Sequence, residues 1–292
     1  MYNYNSLKEK VVHGEITFPF CTYDNLTANN NEIILSHWHD EVEFIYLKSG
    51  SITFCLDAKP VEITAGEAIF IDSGVIHSGF SEEFADCCYD VIVFDLNMLC
   101  SNTLGNCQSE YLSPLIKKRY SLPVKYSAET GWERAVIQQL ETIIKQFADK
   151  KAGYEFAIAG LLYTVLSIII FNNQLILNNH KLSEFDKQKL DQYKRALHFI
   201  QQNYQSKIGI ADIAREANMS QYHFCRFFKA MSGKTPFQYL MDFRIHQAER
   251  LLNTTDKKIS EIALDVGFNT ISYFIKCFKN AKNKTPSEFR DL

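Results

Sequence analysis

The chain has 292 residues, 46% hydrophobic and 22% charged, which is soluble globular material with room for two cores. Its net charge of −3 hides an asymmetry, because residues 1–180 carry 12 Lys/Arg against 22 Asp/Glu and residues 181–292 carry 19 against 12. The eight cysteines (21, 55, 87, 88, 100, 107, 225 and 277) show no paired CxxC spacing, and the N-terminus has no basic-then-apolar signal pattern. Reduced thiols in the cytoplasm are therefore expected rather than a disulfide framework or a secretory leader.

From Glu15 to Leu96 the pattern predicts short strands. Glu41–Lys48 is partly alternating, and Ser51–Leu56, Val61–Thr64, Ala68–Ile71 and Tyr89–Leu96 are β-rich runs divided by Gly50, Pro60, Gly66 and Gly74. Strands of this length and spacing suggest a small barrel or jelly roll. After a less regular stretch over 97–127, Trp132–Phe147 predicts an amphipathic helix with Val136, Ile137, Leu140, Ile143, Ile144 and Phe147 on its apolar face. A second helix over 154–171 follows, interrupted by no polar residues from Phe156 to Phe171 except Thr164 and Ser167. A membrane span wants about 20 residues, so no membrane is expected. This helix reads as too apolar to face water on any side. It could pack on the barrel, on its neighbour helix or across a dimer, and at least partial use at a dimer interface is expected, with Val136, Ile143, Leu162 and Leu166 as contributors. The linker is placed over Asn172–Asp186, and from Lys187 the chain predicts helices broken near Gly209, Asn218, Gly233, Thr254, Gly267 and Asn283.

The helical half repeats itself. Phe224-Cys225-Arg226-Phe227-Phe228-Lys229 returns as Phe274-Ile275-Lys276-Cys277-Phe278-Lys279, and Lys234-Thr235-Pro236 as Lys284-Thr285-Pro286. Upstream, Ile210-Ala211-Asp212-Ile213-Ala214 is echoed by Ile259-Ser260-Glu261-Ile262-Ala263, one residue closer in offset. The unit is two short helices with a tight turn, the shape that places a helix in a DNA groove. Phe224, Phe227, Phe228 and Met231 form one apolar stripe, with Phe274, Cys277, Phe278 and Ala281 as its counterpart. The opposite faces carry Tyr222, Cys225, Arg226 and Lys229, and Ser272, Ile275, Lys276 and Lys279. Arginine can grip guanine with two hydrogen bonds, whereas lysine is a single-point donor suited to phosphate. The predicted DNA contacts are Gln221, Tyr222, Cys225, Arg226, Lys229, Thr270, Ile271, Ser272, Ile275, Lys276, Lys279, Lys282 and Lys284. Between the repeats, Phe237–Leu252 predicts a connecting helix of about 24 Å. It could hold the two reading helices roughly one duplex turn, about 34 Å, apart.

These residues, with Met219-Ser220, Gly233-Lys234-Thr235-Pro236, Tyr239-Leu240, Arg244-Ile245, Gly267-Phe268 and Ser272-Tyr273-Phe274, resemble the C-terminal domain of the AraC/XylS family of bacterial transcription regulators. The resemblance spans about 100 residues of the chain. It implies two helix-turn-helix units, at about 208–232 and 257–281, joined by a long helix and bound to double-stranded promoter DNA, usually as an activator working with RNA polymerase. Asn283 departs from the glycine common in the family, but asparagine tolerates the left-handed conformation.

In the acidic half, His37-Trp38-His39, Glu43 and Gly50, then Gly66, Gly74 and His77, resemble the two cupin motifs. The resemblance implies a double-stranded barrel in which His37, His39, Glu43 and His77 fall on metal-ligand positions. Asp72 stands where proline is usual, and Ser81 where asparagine is usual. Similar regulators keep such a remnant without metal. The expectation is therefore no cofactor and no catalysis, but a pocket in which His37, Trp38, His39, Glu43 and His77 meet a sugar or other small metabolite.

The predicted fold is α+β in two domains. Residues 1–127 form a cupin-like sensing barrel, 128–180 a helical dimerisation and linker region, and 181–292 the DNA-binding domain. The expected function is an effector-controlled, homodimeric transcription regulator. The alternatives are a cupin metalloenzyme with an appended DNA-binding module, for which His37, His39, Glu43 and His77 would hold Fe, Mn, Ni or Zn, and a ligand-blind dimeric regulator.

Overall fold

Apolar residues on both faces of several strands set the N-terminal architecture. The computed structural model describes residues 7–9, 11–28, 34–57, 59–81, 87–101, 105–178 and 184–290. The strands are β1 (Phe20–Ala28), β2 (Ile34–His37), β3 (Val42–Ser49), β4 (Ser51–Leu56), β5 (Lys59–Thr64), β6 (Ala68–Ile71), β7 (His77–Phe80), β8 (Cys87–Phe94), and the two-residue strands β9 (Tyr120–Ser121), β10 (Lys125–Tyr126) and β11 (Ile176–Leu177). One antiparallel sheet runs β1-β8-β3-β6-β10 and a second runs β2-β7-β4-β5. Ile45, Leu47, Ile69, Ile71, Val91 and Val93 of the first sheet share a core with Ile52, Phe54, Leu56 and Ile63 of the second. The alternate residues Val42, Phe44, Phe70, Ile92 and Phe94 belong to another core, beneath two helices. Burial on both faces explains why β3, β6 and β8 alternate so weakly in sequence.

After the short α1 (Ser113–Ile116), those helices are α2 (Gly131–Asp149) and α3 (Tyr154–Phe171). The α2 N-terminus is closed by a capping box, in which Thr130 N–H donates to the Glu133 carboxylate (3.0 Å) and Glu133 N–H donates to the Thr130 hydroxyl (3.4 Å). Val136, Leu140 and Ile143 of α2 and Ile158, Leu162, Val165 and Ile169 of α3 pack with Phe20, Phe44 and Phe94 in one core. The expected separate dimerisation region is therefore part of the barrel's own core. Val136, Ile143, Leu162 and Leu166 are all buried there and unavailable to a partner. A uniformly apolar helix conceals from sequence which face the barrel covers.

The fully apolar expectation for 154–171 is also corrected. By length and composition α3 could cross a membrane, but one face is buried in the core. The other exposes Phe156, Gly160, Tyr163, Thr164, Ser167 and Phe171.

Two compact units divide the chain, Glu9–Ser183 and Glu184–Leu292 with Met1–Lys8. Of the expected linker, β11 pairs with β9 inside the first unit, and residues 179–183 lie outside the described residues. The second unit begins with α4 (Glu184–Asn203), followed by α5 (Ile210–Glu216), α6 (Gln221–Ser232), α7 (Pro236–Thr254), α8 (Ile259–Asp265), α9 (Ile271–Lys282) and α10 (Pro286–Arg290). Its repeat extends to the caps. Gly209 N–H donates to Asp212 (2.9 Å) as Lys258 N–H does to Glu261 (3.0 Å), and Thr235 N–H donates to Gln238 (3.0 Å) as Thr285 N–H does to Glu288 (2.7 Å).

Left-handed residues close both repeats, with glycine and asparagine exchanged between them. The turn inside the first unit is at Asn218 (φ 53°) and inside the second at Gly267 (φ 88°); the reading helices end at Gly233 (φ 74°) and Asn283 (φ 56°). Asn283 thus caps α9 as the sequence led us to expect. Arg244 of α7, buried, donates to the carbonyls of Tyr204 (2.8 Å) and Ser206 (2.9 Å), tying the long helix to the segment between α4 and α5.

Candidate nucleic-acid interface and histidine cluster

The interface rests on α6 and α9, whose apolar residues are recovered by different surroundings. Phe228 packs edge-on against Tyr239 and near Tyr193, while Phe278 packs against Phe274 and Phe289. The consequence is the same face outward. From the first to the tenth residue of each helix, burial follows one pattern: three exposed, one buried, one half-buried, one exposed, one half-buried, one buried and two exposed. Gln221, Tyr222, Arg226 and Lys229 are accordingly exposed, as are Ile271, Ser272, Lys276 and Lys279, while Cys225 and Ile275 are half-buried. Each helix therefore projects one central cation, Arg226 or Lys276, with a lysine one turn on.

Two sequence-predicted contacts are qualified by their neighbours. The Thr270 hydroxyl caps its own helix by accepting from Tyr273 N–H (3.3 Å). Lys282 Nζ lies 2.6 Å from Glu249 Oε2 of α7, so part of its charge is already matched, whereas Lys284 is exposed. Phe227 is only half-buried and so belongs to the edge of the apolar stripe. His223 and Tyr273, each third in its helix and not among the predicted contacts, occupy equivalent exposed positions in the first turns. We expect Lys279→Ala to weaken all duplexes alike and to flatten the slope of log K against log salt by about 0.9, the value for one phosphate contact. Lys282→Ala should flatten it by less, because Glu249 already competes for that ammonium. Titrations of both variants at several salt concentrations check the order.

In the N-terminal unit, β2, β3, β7 and the connection between β2 and β3 bring His37, Glu43, His77 and His39 together. The donor nitrogens of the three histidines lie within 4.8 Å of one another. His39 Nε2 is 2.9 Å and His77 Nε2 3.3 Å from Glu43 Oε2. Each ring is oriented from behind, because the Nδ1 atoms of His37, His39 and His77 donate to the carbonyls of Leu35 (2.8 Å), Glu41 (3.0 Å) and Val75 (3.0 Å). Trp38, between the two histidines in sequence, is half-buried. Two residues not singled out in sequence, Glu9 and His13, join it: His37 Nε2 lies 3.3 Å from Glu9 Oε2, and Glu9 is 3.1 Å from His13 Nε2. They precede both motifs, so no motif spacing could find them.

Burial opposes charge at every one of these groups, and the neighbours decide the outcome. Glu43 and Glu9 are held well below the usual carboxylate range, burial being outweighed by the imidazoles beside them. His37 and His39 are raised despite burial, by Glu9 and Glu43 respectively. His77 is lowered by burial and by the charge of His37. The set fits a metal ion of the kind cupin motifs hold. Fixed Nδ1–H donors turn the three Nε2 atoms inward, and His77 Nε2 is fully buried beside Glu43. His37, His39, His77 and Glu43 would hold such an ion, which would supply positive charge and cross-link β2, β3 and β7.

A separate apolar cleft lies between the five-stranded sheet and α3, lined by Phe44, Phe70, Phe94, Leu122, Leu162 and, at its polar side, Asp72. Burial raises the Asp72 carboxyl. The histidine cluster does not border this cleft. The space between the two sheets, expected to be a metabolite pocket, is occupied by the apolar core side chains.

Comparison with known proteins agrees with both halves. Residues 213–291 match the helix-turn-helix domain family and residues 27–91 the cupin domain family. An HTH-type transcriptional regulator of Bacillus subtilis, YdeC, is 30% identical over 292 residues, spanning 98% of this chain and 97% of its own. The chain belongs to the AraC/XylS family. Another relative, the HTH-type transcriptional activator RhaS of Mannheimia succiniciproducens, is 25% identical over 89% of this chain and 90% of its own. Among solved structures, the C-terminal domain of the response regulator yesN from Fusobacterium nucleatum is 30% identical, covers 32% of this chain and 93% of its own, and has a TM-score of 0.32. The AraC-type assignment makes the chain a DNA-binding transcription regulator.

Proposed function

We propose that α6 and α9 read successive major grooves of promoter DNA, and that the protein activates transcription there together with RNA polymerase. The observation that carries this reading is the shared burial pattern of the two helices, which turns Arg226 and Lys276 outward in equivalent positions. The 19-residue α7 between them extends about 28 Å at 1.5 Å per residue, close to one duplex turn of about 34 Å. The name of the RhaS relative, an activator, supports the sign of regulation.

The N-terminal unit is the effector-controlled half, working in a cytoplasmic homodimer without enzymatic activity. The exposed α3 face suits the dimer contact: Gly160, Thr164 and Ser167 allow close helix approach, between the exposed aromatic ends Phe156 and Phe171. An effector shifts such a regulator only by its difference in affinity between two arrangements. Its site is the end of the barrel that carries the histidines, where buried titratable side chains converge. Selection of bound fragments from genomic DNA, with and without cell metabolites, tests the proposal. The expected result is a bipartite motif with half-sites about 10–10.5 bp apart. No enrichment over a random competitor duplex would sink it.

A second reading, a cupin metalloenzyme carrying a DNA-binding module, is favoured by the His37–His39–Glu43–His77 grouping alone. Metal with turnover in the purified protein would support it; metal-dependent DNA binding without turnover would favour regulation.

A further inference from the structure

The two reading helices share a burial pattern but not a chemistry. At their first and fifth positions α6 carries Gln221 and Cys225, whereas α9 carries Ile271 and Ile275. Those positions are one turn apart, so each pair lies on one side of its helix, flanking the exposed basic face. Ile271 is 42% exposed. Ile275 enters the core around Phe274 and Phe278 only in part. The Thr270 hydroxyl, accepting from Tyr273 N–H (3.3 Å), fixes the first turn of α9 and with it the direction of Ile271. A β-branched side chain there has little χ1 freedom. Beside its cations, α9 thus holds a preset apolar step that α6 lacks.

Base edges in the major groove differ in what they offer these surfaces. Adenine presents an acceptor and a donor that glutamine engages together, and guanine presents two acceptors suited to arginine. Isoleucine makes no such bonds. Thymine alone of the four bases carries a methyl group in that groove, where apolar contact recognises it. A polar base edge pressed against Ile271 would lose water without regaining a hydrogen bond. One position therefore favours thymine when α9 presents it and a hydrogen-bonding edge when α6 does.

We propose that the half-site read by α9 is selected through thymine C5-methyl groups by Ile271, with Ile275 extending the same surface, whereas the half-site read by α6 is selected by hydrogen bonds to purines from Gln221 and Arg226. The proposal rests on the reading in which α6 and α9 enter successive major grooves, and it names the class of sequence each helix takes. The operator is then unlike in its two halves, which fixes the direction in which one chain lies along the duplex.

Two selections by the full chain from randomised duplexes test it, one from a library containing thymine and one in which uracil, lacking only the methyl, replaces thymine throughout. The first should yield a thymine-bearing half-site beside a purine-bearing one. In the second, the α9 half-site should lose its preference while the α6 half-site keeps its own. On one selected duplex, uracil in the α9 half-site should lower affinity about fourfold per contacted methyl, the value for one buried apolar carbon. Uracil in the α6 half-site should change it less. Ile271→Ser should bind the thymine and uracil duplexes alike, and Ile271→Gln, which gives α9 the residue of α6, should gain a preference for adenine there. Thermal melting reports whether the variants fold; should either fail, the uracil comparison on the wild-type protein carries the test alone. Equal enrichment from the two libraries, or undiminished uracil sensitivity in Ile271→Ser, would overturn the methyl readout while groove reading stands. Absence of enrichment from both libraries would instead overturn the groove reading beneath it.

Discussion

Arg226→Ala should weaken binding to the preferred operator by about 1–3 kcal/mol, the range for losing a bidentate base contact. Arg226 is exposed at the centre of the α6 outward face, one turn before Lys229. A guanidinium there can grip guanine O6 and N7 together, which a phosphate-bound lysine does not do. The loss should therefore be uneven: tolerance for other bases rises in the half-site read by α6, and the half-site read by α9 keeps its preference. Binding to a panel of single-base operator variants measures this directly. A loss equal on every sequence, random DNA included, would make Arg226 a backbone contact. Lys276→Ala, at the matching position of α9, should show a smaller change in base preference, because lysine offers one point of donation.

The largest effect on stability is expected at Gly267. Its φ of 88° already disfavours any side chain, and an added Cβ would stand 2.4 Å from the Tyr204 carbonyl oxygen and 2.9 Å from both the Gln205 carbonyl oxygen and an Arg244 nitrogen. The backbone conformation alone costs about 1–3 kcal/mol for a non-glycine residue. The two carbonyls are main chain and cannot simply swing aside, so Gly267→Ala should exceed that range. A fall of about 10 °C or more in the melting of the DNA-binding unit follows for a domain of this size. Asn218, at the corresponding turn of the first repeat, already has a Cβ at φ 53°. Asn218→Ala should cost only about 1 kcal/mol. Thermal melts of the two variants side by side give the comparison, and similar Tm values would remove the steric argument.

The DNA-binding half was legible because its information is local. Helices of twelve residues, their caps and their punctuating glycines and asparagines are written within a few positions of one another, and duplication wrote them twice. The N-terminal half was legible as strands but not as surfaces. β3 and β8 are covered on both sides, so their sequences lack the alternation that would assign a face. The same ambiguity hid which face of α3 is covered: Leu162 and Leu166 are inside, and Gly160, Thr164 and Ser167 are outside. At the histidine cluster the motif spacing located His37, His39, Glu43 and His77. Glu9 and His13 were invisible because their proximity arises from a main-chain hydrogen bond to Trp38, a contact that leaves no residue signature. The Glu249 partner of Lys282 was invisible for a related reason, since it belongs to α7, thirty-three positions earlier.

The contacts of Arg244 and Gly267 with the Tyr204–Ser206 segment join the beginning of the DNA-binding unit to its second repeat. The two reading heads are thereby set like the jaws of a locked caliper. When an operator presents its half-sites slightly out of phase, the protein has little give, and the double helix must twist or bend to meet it. Base steps that are never touched, lying between the half-sites, then influence affinity through their stiffness.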